Sequence, residues 1–368
     1  MRFEICLLAS LAFASSFVGD PVSIADSDLE AIDEAVPKEG VTVHFIRHAE
    51  SGWNIYQAEH GLFKQLFAQL DSSLKDARLT KRGVDQTMML ASFIQQGGCS
   101  KADRTQAWAE SCLDRIPLKE DISSKAIPDD EPGKSHAAGI TPSCSCGEAD
   151  FLNSDAPAVI ATSNLSRAIL TGLIALKSRI TKSSTPVLMM SLLQELGAGI
   201  DAKTDTPAHT FPDLRLGMYI IQEKRRKERG HGMLAPKSDI SPRSRYFRSN
   251  EEYFETVKAR FDLNYSVGDF NSGILGPNAA TRFQNFCFWA LHVSDKDIIV
   301  AGHSGWLLKF LQSHLPLEGR NEVEDTVTHH KLGNGSLITF KIVPDEKRVC
   351  RIVSGETQFV YGTIHYAQ

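Results

Sequence analysis

Residues 41–54 of the chain read VTVHFIRHAESGWN, and this stretch does most to decide the fold. Its first part, 41–47, is a short apolar run rich in β-branched residues that follows Gly40, a pattern typical of a buried strand. Arg47 and His48 come where that strand ends. Ligands of open α/β sheets bind beyond the carboxyl ends of the strands. The sequence therefore predicts a buried strand that delivers an arginine and a histidine to a functional site.

Apolar strands and amphipathic helices alternate through the rest of the chain. The alternation predicts an α/β fold, a three-layer sandwich whose central sheet is mostly parallel and has helices on both faces. Thr80 is a good N-cap for the first predicted helix, because its hydroxyl oxygen can accept a backbone N–H. The predicted strands are 41–47, 157–162, 187–190 and 297–302, with closing strands at 335–342 and 348–353, and the predicted helices are 79–95, 164–176 and 305–314.

Two irregular segments interrupt this alternation. The first, at about 97–156, is rich in Gly, Pro, Ser and Asp, and the second, at about 200–252, is polar. Because the alternating pattern resumes after each, we predict a single domain over 41–355 with two insertions. The second insertion carries a cationic stretch at 224–248, which is either a solvated helix face or a lid that attracts an anionic substrate.

Composition excludes several classes of protein. The chain has 368 residues, a formal net charge of −5 and 42% apolar residues, the balance of an ordinary soluble globular protein. No stretch approaches the roughly 20 consecutive apolar residues of a transmembrane helix, so no membrane span is expected. The net acidity and the lack of a long basic face argue against a dedicated nucleic-acid binder.

The first 20 residues resemble a secretory signal peptide. Arg2 precedes an apolar run over 5–14, and small residues follow where cleavage is expected. Glu4 lies in a region that is normally positive and Ser10 interrupts the run, so a short buried helix is the alternative. The sequence slightly favours the secretory pathway over the cytoplasm.

The seven cysteines are too sparse for a disulfide scaffold. Cys287 and Cys350 lie in apolar stretches typical of a core. The Cys-Ser-Cys spacing at 144–146 is too short for a usual zinc knuckle and no histidine pair follows at ligand distance, so no metal is predicted. Four cysteines of the first insertion would form one or two disulfides if the protein is secreted, namely Cys99, Cys112, Cys144 and Cys146.

Chemically informative side chains follow four of the predicted strands. Besides Arg47 and His48 after the first strand, Arg167 lies one turn into the helix after the second strand. Glu195 follows the third strand and His303 follows the fourth. Each alone has an ordinary structural explanation, such as a salt bridge, a carboxylate at a helix start or a core histidine. Their joint arrival at one edge of the sheet indicates a shared site.

Four segments of the chain resemble those of a known family. RHAESGWN, at 47–54, resembles the RHGE(T/S)xxN signature of the histidine phosphatase superfamily, with Ala49 where glycine is common. DARLTKRGVDQ (76–86) resembles the stretch that opens the family's first helix. TSNLSRA (162–168) and VAGHSGW (300–306) resemble the segments that supply its second arginine and second histidine. From residue 41 to about 355 the chain is similar to the phosphoglycerate mutase-like branch of this superfamily.

The resemblance implies a role for each candidate. His48 would take up the phosphoryl group as phosphohistidine, while Arg47, Arg167 and His303 would bind the phosphate. Asn54 would be a further donor. Negative charge spreads over the oxygens of a phosphoryl group in transfer, and the paired donors of arginine match two of those oxygens. Two arginines and a protonated His303 would replace metal ions and favour a neutral His48, so no metal or cofactor is expected.

The proton donor to the leaving group is a separate question. Protonating a leaving alkoxide requires a carboxylic acid near the phosphate. Glu195 matches the family's position for this role. Asp201 and Asp205 are neighbouring alternatives.

Two departures from the mutase pattern favour hydrolysis. Mutases carry an FTGW-type segment after the first motif and an ERHYG-type segment with the acid, whereas here IYQAEHGLFKQL follows Asn54 and Glu195 lies in LLQELGAGIDA. The expected function is therefore metal-independent hydrolysis of a phosphomonoester, either a small phosphorylated substrate or a phosphoprotein. The alternatives are a cofactor-dependent phosphoglycerate mutase-type phosphotransferase and a non-catalytic phosphate-binding or scaffold protein. The sequence predicts no oligomeric state.

Overall fold

A computed structural model describes most of the predicted domain. The described residues are 40–59, 74–97, 146–184, 186–197, 199–204, 206–207, 209–212, 214, 252–266, 279–293, 297–345 and 350–365. Several predictions lie outside these residues: the signal-like segment 1–20, the cationic stretch at 224–248, Asp205, and the sulfur atoms of the four cysteines between 99 and 146.

A central sheet organises the described part of the chain. Its strand order is β4-β3-β2-β5-β1-β7-β8, with β9 also paired to β7. Strands β4, β3, β2, β5 and β1 are mutually parallel, whereas β7, β8 and β9 form an antiparallel edge. The strands are β1 (Val41–Arg47), β2 (Val159–Ser163), β3 (Val187–Met190), β4 (Phe261–Asp262), β5 (Asp297–Gly302), β7 (Leu337–Pro344), β8 (Cys350–Ile352) and β9 (Gln358–Tyr361). A separate pair joins β6 (Lys331–Leu332) to β10 (Ile364–His365).

Helices cover both faces of this sheet. On one face, the helices at 81–95 and 166–175 share an apolar cluster with Ile46 and Ile299. On the other face, the helices at 279–292 and 304–314 share a cluster with Phe45 and Val300. The fold is therefore a three-layer α/β sandwich with a mostly parallel sheet, as predicted. The helices are α1 (Gly52–Glu59), α2 (Lys81–Gln95), α3 (Cys146–Asn153), α4 (Ser166–Ala175), α5 (Lys177–Lys182), α6 (Ala279–His292), α7 (Ser304–His314) and α8 (Glu322–His329).

Strand β1 lies inside the sheet between β5 and β7. Both of its faces are covered, which explains a run of apolar residues without polar alternation. His44 is the exception within it. This buried side chain places Nδ1 2.9 Å from Glu148 of α3 and Nε2 3.5 Å from Asp297 of β5. Burial acts to lower the pKa of His44, but the contacts with Asp297 and Glu148 outweigh it and raise that pKa above its usual value.

The predicted elements are present, with their ends shifted by one or two residues. Thr80 is the N-cap of α2, where its hydroxyl oxygen accepts the N–H of Gly83 at 2.9 Å. The sequence did not predict helices α1, α5, α6 and α8 or the short strands β4, β6, β9 and β10. Helix α8 begins with a capping box in which Asn321 and Glu324 each accept the other's backbone N–H, a signal present in the sequence.

Part of the segment predicted as irregular is helical. Helix α3 lies at the end of the first insertion and packs with its Ala149 and Leu152 side chains in the core. Asn153 also donates to the carbonyl of Gln95 at the end of α2, at 3.4 Å. Burial of these two apolar side chains against the sheet explains the local order that composition alone did not indicate.

Cys287 and Cys350 are buried, as predicted, and form a disulfide. The bond joins α6 to β8 across 63 residues of sequence. In the chain-entropy description, closing a loop of that length stabilises the fold by about 4 kcal/mol.

Among the described helices, none has both the length and the apolar character that crossing a membrane requires.

Candidate active site

The predicted site residues converge at the carboxyl ends of β1, β2, β3 and β5, which are neighbours in the sheet. Arg47 ends β1 and His48 follows it, while His303 directly follows β5. Arg167 is the second residue of α4, just after β2, and Glu195 lies beyond β3. The rings of His48 and His303 are 5.0 Å apart between centroids. The parallel strands therefore bring these side chains to one edge, as the sequence predicted.

His48 is held in a defined orientation. Its Nδ1 lies 2.7 Å from the carbonyl oxygen of Ala49. A carbonyl only accepts, so this contact places the ring proton on Nδ1 and the lone pair on Nε2. Burial and the charges of Arg167 and Arg47 hold the pKa of His48 well below its usual value, against the Ala49 contact. His48 is therefore a neutral imidazole whose Nε2 carries a lone pair.

Arg167 is a buried guanidinium, 1% exposed, that contacts two functional groups. Its Nε donates to His48 Nε2 at 3.3 Å. Its Nη1 donates to the backbone carbonyl of Asp201 at 2.9 Å, and its Nη2 lies 3.8 Å from the Asp201 carboxylate. One guanidinium thus links His48 to a carboxylate.

Arg47 is also buried, and its Nη1 donates to the carbonyl of Leu332. Its Nε is buried and has no hydrogen-bond partner among the described residues. Burial lowers the pKa of Arg47 to about 10, with Arg167 acting in the same direction and Glu195 opposing. Two buried cations therefore lie close enough to repel each other.

His303 is fully buried, and its Nε2 lies 2.8 Å from the hydroxyl of Ser163. That hydroxyl accepts the N–H of Leu165 at 3.2 Å, and with its second lone pair or its hydrogen it can accept from His303 Nε2 or donate to it. When the hydroxyl donates, Nδ1 carries the proton of His303. No described residue accepts a hydrogen bond from Nδ1.

The expectation of a protonated His303 is wrong. Burial lowers the pKa of His303 well below its usual value, and nearby cations lower it further. A phosphate would favour a positive charge on His303, but burying a third cation beside Arg47 and Arg167 is costly, and the sequence does not show this burial. His303 is therefore a neutral donor. The cations that lower its pKa, besides a contribution from His48, are Arg167, Arg282 and Arg47.

Asn54 lies in the first turn of α1, and its side chain stabilises the turn that follows His48. Its Oδ1 accepts the backbone N–H and the hydroxyl of Ser51, each at 3.0 Å. This contact fixes the path of the chain three residues after His48. A donor contact from Asn54 to phosphate stays a prediction.

Glu195 lies at the N-terminus of α7. Its Oε1 accepts the N–H groups of Trp306 and Leu196, both at 2.9 Å, and its Oε2 accepts that of Gly305 at 3.3 Å. The first N–H groups of a helix have no partner within the helix, and a carboxylate there is stabilised by the helix dipole. Glu195 therefore anchors the start of the helix that follows His303. Its role as proton donor stays a prediction.

Asp201 lies in the short 3₁₀ turn Ile200–Ala202, and its side chain is 14% exposed. Burial raises the pKa of this carboxyl to about 6, and Glu195 adds to the rise. The Arg167 charge and the N–H groups of Asp201 and Ala202 oppose it. The pKa of Asp201 is therefore raised towards neutral pH.

Asp76 is a supporting residue that sequence reasoning missed. Its carboxylate accepts the N–H and hydroxyl of Ser166 at 2.7 and 2.8 Å, and the hydroxyl of Thr204 at 3.4 Å. Asp76 thus caps the helix that carries Arg167 and ties it to the chain after Asp201. Its φ of +46° is a conformation that Asp tolerates better than most residues. The resemblance of segment 76–86 to the stretch that opens the family's first helix assigned no role to Asp76.

Arg282 of α6 and Gln194 hold the segment that carries the two carboxylates. Arg282 Nη2 donates to the carbonyls of Leu192, at 3.0 Å, and Gln194. The Gln194 side chain in turn donates to the carbonyl of Ala202. Both side chains are buried. The sequence offered no signal for Arg282, because its partners lie about 90 residues away along the chain.

Binding of a metal ion requires several ligand atoms that lie close together. In the described part of the chain, one set of three possible ligands lies close enough for a metal ion: Cys287, Cys350 and His314. The disulfide uses both sulfur atoms, so this set does not fit a metal.

Comparison with known proteins gives likenesses among solved structures. The chain matches no protein-family model and no curated protein sequence. Phosphoglycerate mutase from Bacillus anthracis is 13% identical, over 86% of this chain and 94% of that chain, with a TM-score of 0.35. Ecdysone phosphate phosphatase from Bombix mori is 11% identical, over 86% and 93%, with a TM-score of 0.34. Phosphoserine phosphatase from Entamoeba histolytica is 13% identical, over 89% and 98%, with a TM-score of 0.31.

These identities and TM-scores are low, so they carry no argument about activity. The chemistry of the site follows from its own residues and distances. The solved structures that this chain resembles are phosphoglycerate mutase-like histidine phosphatases, the group to which its sequence motifs are also similar.

Proposed function

We propose that this protein hydrolyses phosphomonoesters through a phosphohistidine formed on His48, without a metal ion. One observation carries the proposal. Beside the neutral His48, two buried nitrogen atoms, Arg47 Nε and His303 Nδ1, have no hydrogen-bond partner among the described residues. Buried polar groups without partners are rare and costly, so such a pair indicates a ligand.

The charge of the site favours an anion with several oxygens. Arg47 and Arg167 are 8% and 1% exposed, and the charge of Arg167 contributes to the lowered pKa of Arg47. Buried cations are stable only when paired and hydrogen-bonded. A phosphate dianion offers two charges and oxygens that match the paired donors of arginine. Phosphate therefore compensates this edge of the sheet better than a carboxylate of single charge.

Binding of the ester would also release the nucleophile. Arg167 Nε donates to the lone pair of His48 Nε2, the atom that has to attack phosphorus. A phosphoryl oxygen is a stronger acceptor than an imidazole nitrogen, because it carries negative charge. Substrate binding therefore draws the Arg167 donors onto the phosphate and frees Nε2.

The reaction then takes two steps. In the first, the bond from His48 Nε2 to phosphorus forms as the ester P–O bond breaks, and the leaving oxygen takes a proton. In the second, water attacks the phosphorus, the P–N bond breaks and phosphate leaves. Arg47, Arg167 and His303 would stabilise the charge on the phosphoryl oxygens throughout. The Ala49 carbonyl would keep the Nδ1 proton in place when Nε2 carries the phosphoryl group.

The test is phosphate release from p-nitrophenyl phosphate with excess EDTA, comparing the native protein with His48→Ala. We expect activity that resists EDTA and falls about 10³-fold or more in the variant, as when other catalytic nucleophiles are removed. The matched control is His329→Ala, which removes an exposed histidine of α8. The native enzyme, quenched in base during turnover, should contain an acid-labile phosphoryl group that His48→Ala lacks.

Other outcomes would identify the alternatives. Loss of activity in EDTA with recovery on adding a divalent metal would contradict the metal-free mechanism. Interconversion of phosphoglycerates without phosphate release would indicate a mutase. Phosphate binding without any turnover would indicate a binding or scaffold protein.

A further inference from the structure

The proposed hydrolysis needs a proton for the leaving oxygen, and two carboxyl groups lie near the phosphate-binding arginines. Glu195 and Asp201 both act on these cations, Glu195 on Arg47 and Asp201 on Arg167. Their hydrogen bonds differ, and the difference assigns them separate roles.

The Glu195 carboxylate is already used by the fold. Three backbone N–H groups donate to its two oxygens at 2.9–3.3 Å, and two of them belong to the first turn of α7. The approach is so close that a Cβ on Gly305 would lie 2.6 Å from Oε1. Both Glu195 oxygens therefore already accept backbone N–H groups that fix the chain around His303.

A single side chain, that of Arg167, connects Asp201 to His48. The guanidinium that donates to His48 Nε2 at 3.3 Å also lies 3.8 Å from Asp201 Oδ2. The shorter contact of Arg167 with this turn, at 2.9 Å, is to the Asp201 carbonyl rather than to its carboxylate. The carboxyl group is thus near the site without being locked in a close ion pair.

The turn that carries Asp201 is fixed from both sides. Gln194 donates its side-chain amide to the carbonyl of Ala202, and Asp76 donates its backbone N–H to the carbonyl of Lys203 at 3.1 Å. A Cβ on Gly199 would lie 2.5 Å from Asp201 Oδ1, so the carboxyl also packs tightly against its own turn. A fixed position is what a proton donor requires, because transfer depends on a hydrogen bond of ordinary length.

The proton affinity of Asp201 suits the same role. Burial and the Glu195 charge raise its pKa to about 6, against Arg167 and two backbone N–H groups. About a tenth of the molecules therefore carry the proton at pH 7, far more than for an ordinary aspartic acid. A general acid works best when its pKa lies near the working pH.

We propose that Asp201 donates the proton to the leaving oxygen and that Glu195 positions helix α7 and His303. In the first step the Asp201 proton moves to the leaving oxygen as the P–O bond breaks, which leaves a carboxylate. In the second step this carboxylate takes a proton from the attacking water as its oxygen bonds to phosphorus. The carboxylic acid is thereby restored, and no other reactant is needed. The inference rests on the proposed hydrolase function.

Two substrates separate a proton donor from a positioning residue. Nitrophenolate leaves without a proton, whereas the alkoxide of an alkyl phosphate such as glycerol 3-phosphate needs one. For Asp201→Asn we expect kcat to fall about 10²-fold or more on the alkyl ester and only a few-fold on p-nitrophenyl phosphate. For Glu195→Gln we expect a similar loss on both substrates and a lower Tm.

The pH profile gives a second readout. Activity of the native enzyme on the alkyl ester should decline as the pH rises through about 6, and Asp201→Asn should lack this decline. Equal losses of Asp201→Asn on both substrates, or a selective loss in Glu195→Gln on the alkyl ester, would overturn the assignment. A native enzyme inactive on both substrates would instead overturn the proposed function, so the two failures are distinguishable.

Discussion

Two buried histidines lie only four residues apart, His44 within strand β1 and His48 directly after it, and their surroundings are opposite in charge. Carboxylates of Glu148 and Asp297 lie beside His44 and raise its pKa. Burial and the guanidinium groups of Arg47 and Arg167 lower the pKa of His48. The same residue type thus binds a proton more readily than usual in one cluster and less readily in the other.

The comparison also separates a structural cluster from a functional one. Around His44, the contacts of the imidazole with two carboxylates join α3 and β5 to the middle of β1. Around His48, Arg47 Nε and His303 Nδ1 are buried and have no hydrogen-bond partner among the described residues. In the proposed function, a phosphate would contact these two nitrogen atoms.

The largest expected effect is the loss of activity when Arg167, which contacts His48, is replaced. Arg167→Ala should lower kcat/KM on p-nitrophenyl phosphate about 10²–10³-fold, because it removes a donor to the transition state. Arg167→Lys should restore only part of this, since an ammonium lacks the planar fork. Steady-state kinetics checks both variants.

The matched control is the buried arginine near His44. Arg179 is 2% exposed, donates to the carbonyl of Phe151 at 2.6 Å and lies over its ring. Arg179→Ala should therefore lower stability and leave kcat/KM of the folded protein close to native. Comparable loss of kcat/KM in both variants would break the distinction between the two clusters.

A smaller effect is expected from removing the cation of the structural cluster. His44→Ala leaves Glu148 and Asp297 facing each other without a cation. Because these side chains are 21% and 29% exposed, we expect a loss of about 1–3 kcal/mol in the free energy of unfolding. Urea denaturation measures the loss, and Glu148→Gln in the same background should recover part of it. No recovery would show that the His44 ring acts through packing on Phe151, 4.6 Å away, and not through charge.

The smallest expected effect is a pair of opposite pH trends in stability. The raised pKa of His44 gives a contribution that is full below the unfolded value of about 6.5 and is lost as pH rises through the folded pKa. The lowered pKa values of His48 and His303 act the other way, because below about 6.5 the unfolded chain binds protons that the folded chain does not.

Urea midpoints between pH 5 and 9 test these trends. His44→Gln should flatten the decline on the alkaline side, and His303→Gln should flatten the decline on the acidic side. A His44→Gln profile parallel to that of the native protein would show that His44 does not carry the cluster's charge.

The sequence predicted the parallel strands and the four strand ends well. Residues such as Arg47, His48 and His303 follow directly from apolar runs, and a parallel sheet has to bring such ends together. The partners of His44 were not predictable, because one comes from α3, in a segment whose composition indicated irregular structure. Asp76 and Arg282 were not predictable for another reason, because their contacts join residues about 90 positions apart.

The charge state of His303 was missed for a different reason. The sequence shows which groups share a site but not how deeply they are buried, and burial is the first cause of the lowered pKa. The capping box of α8 was readable from Asn321 and Glu324 and was overlooked. Of these errors, only the last could have been avoided with the sequence alone.

The disulfide between α6 and β8 has a topological consequence. It closes residues 287–350 into a covalent ring, and that ring includes β5, His303 and all of α7. A single backbone cut inside the ring, for example beside the exposed Leu317, would open it without separating the two pieces of chain. The piece after the cut, which carries α8 and the strand β7 that pairs with β1, would then stay tethered to the piece that carries the site by sulfur instead of by peptide bonds.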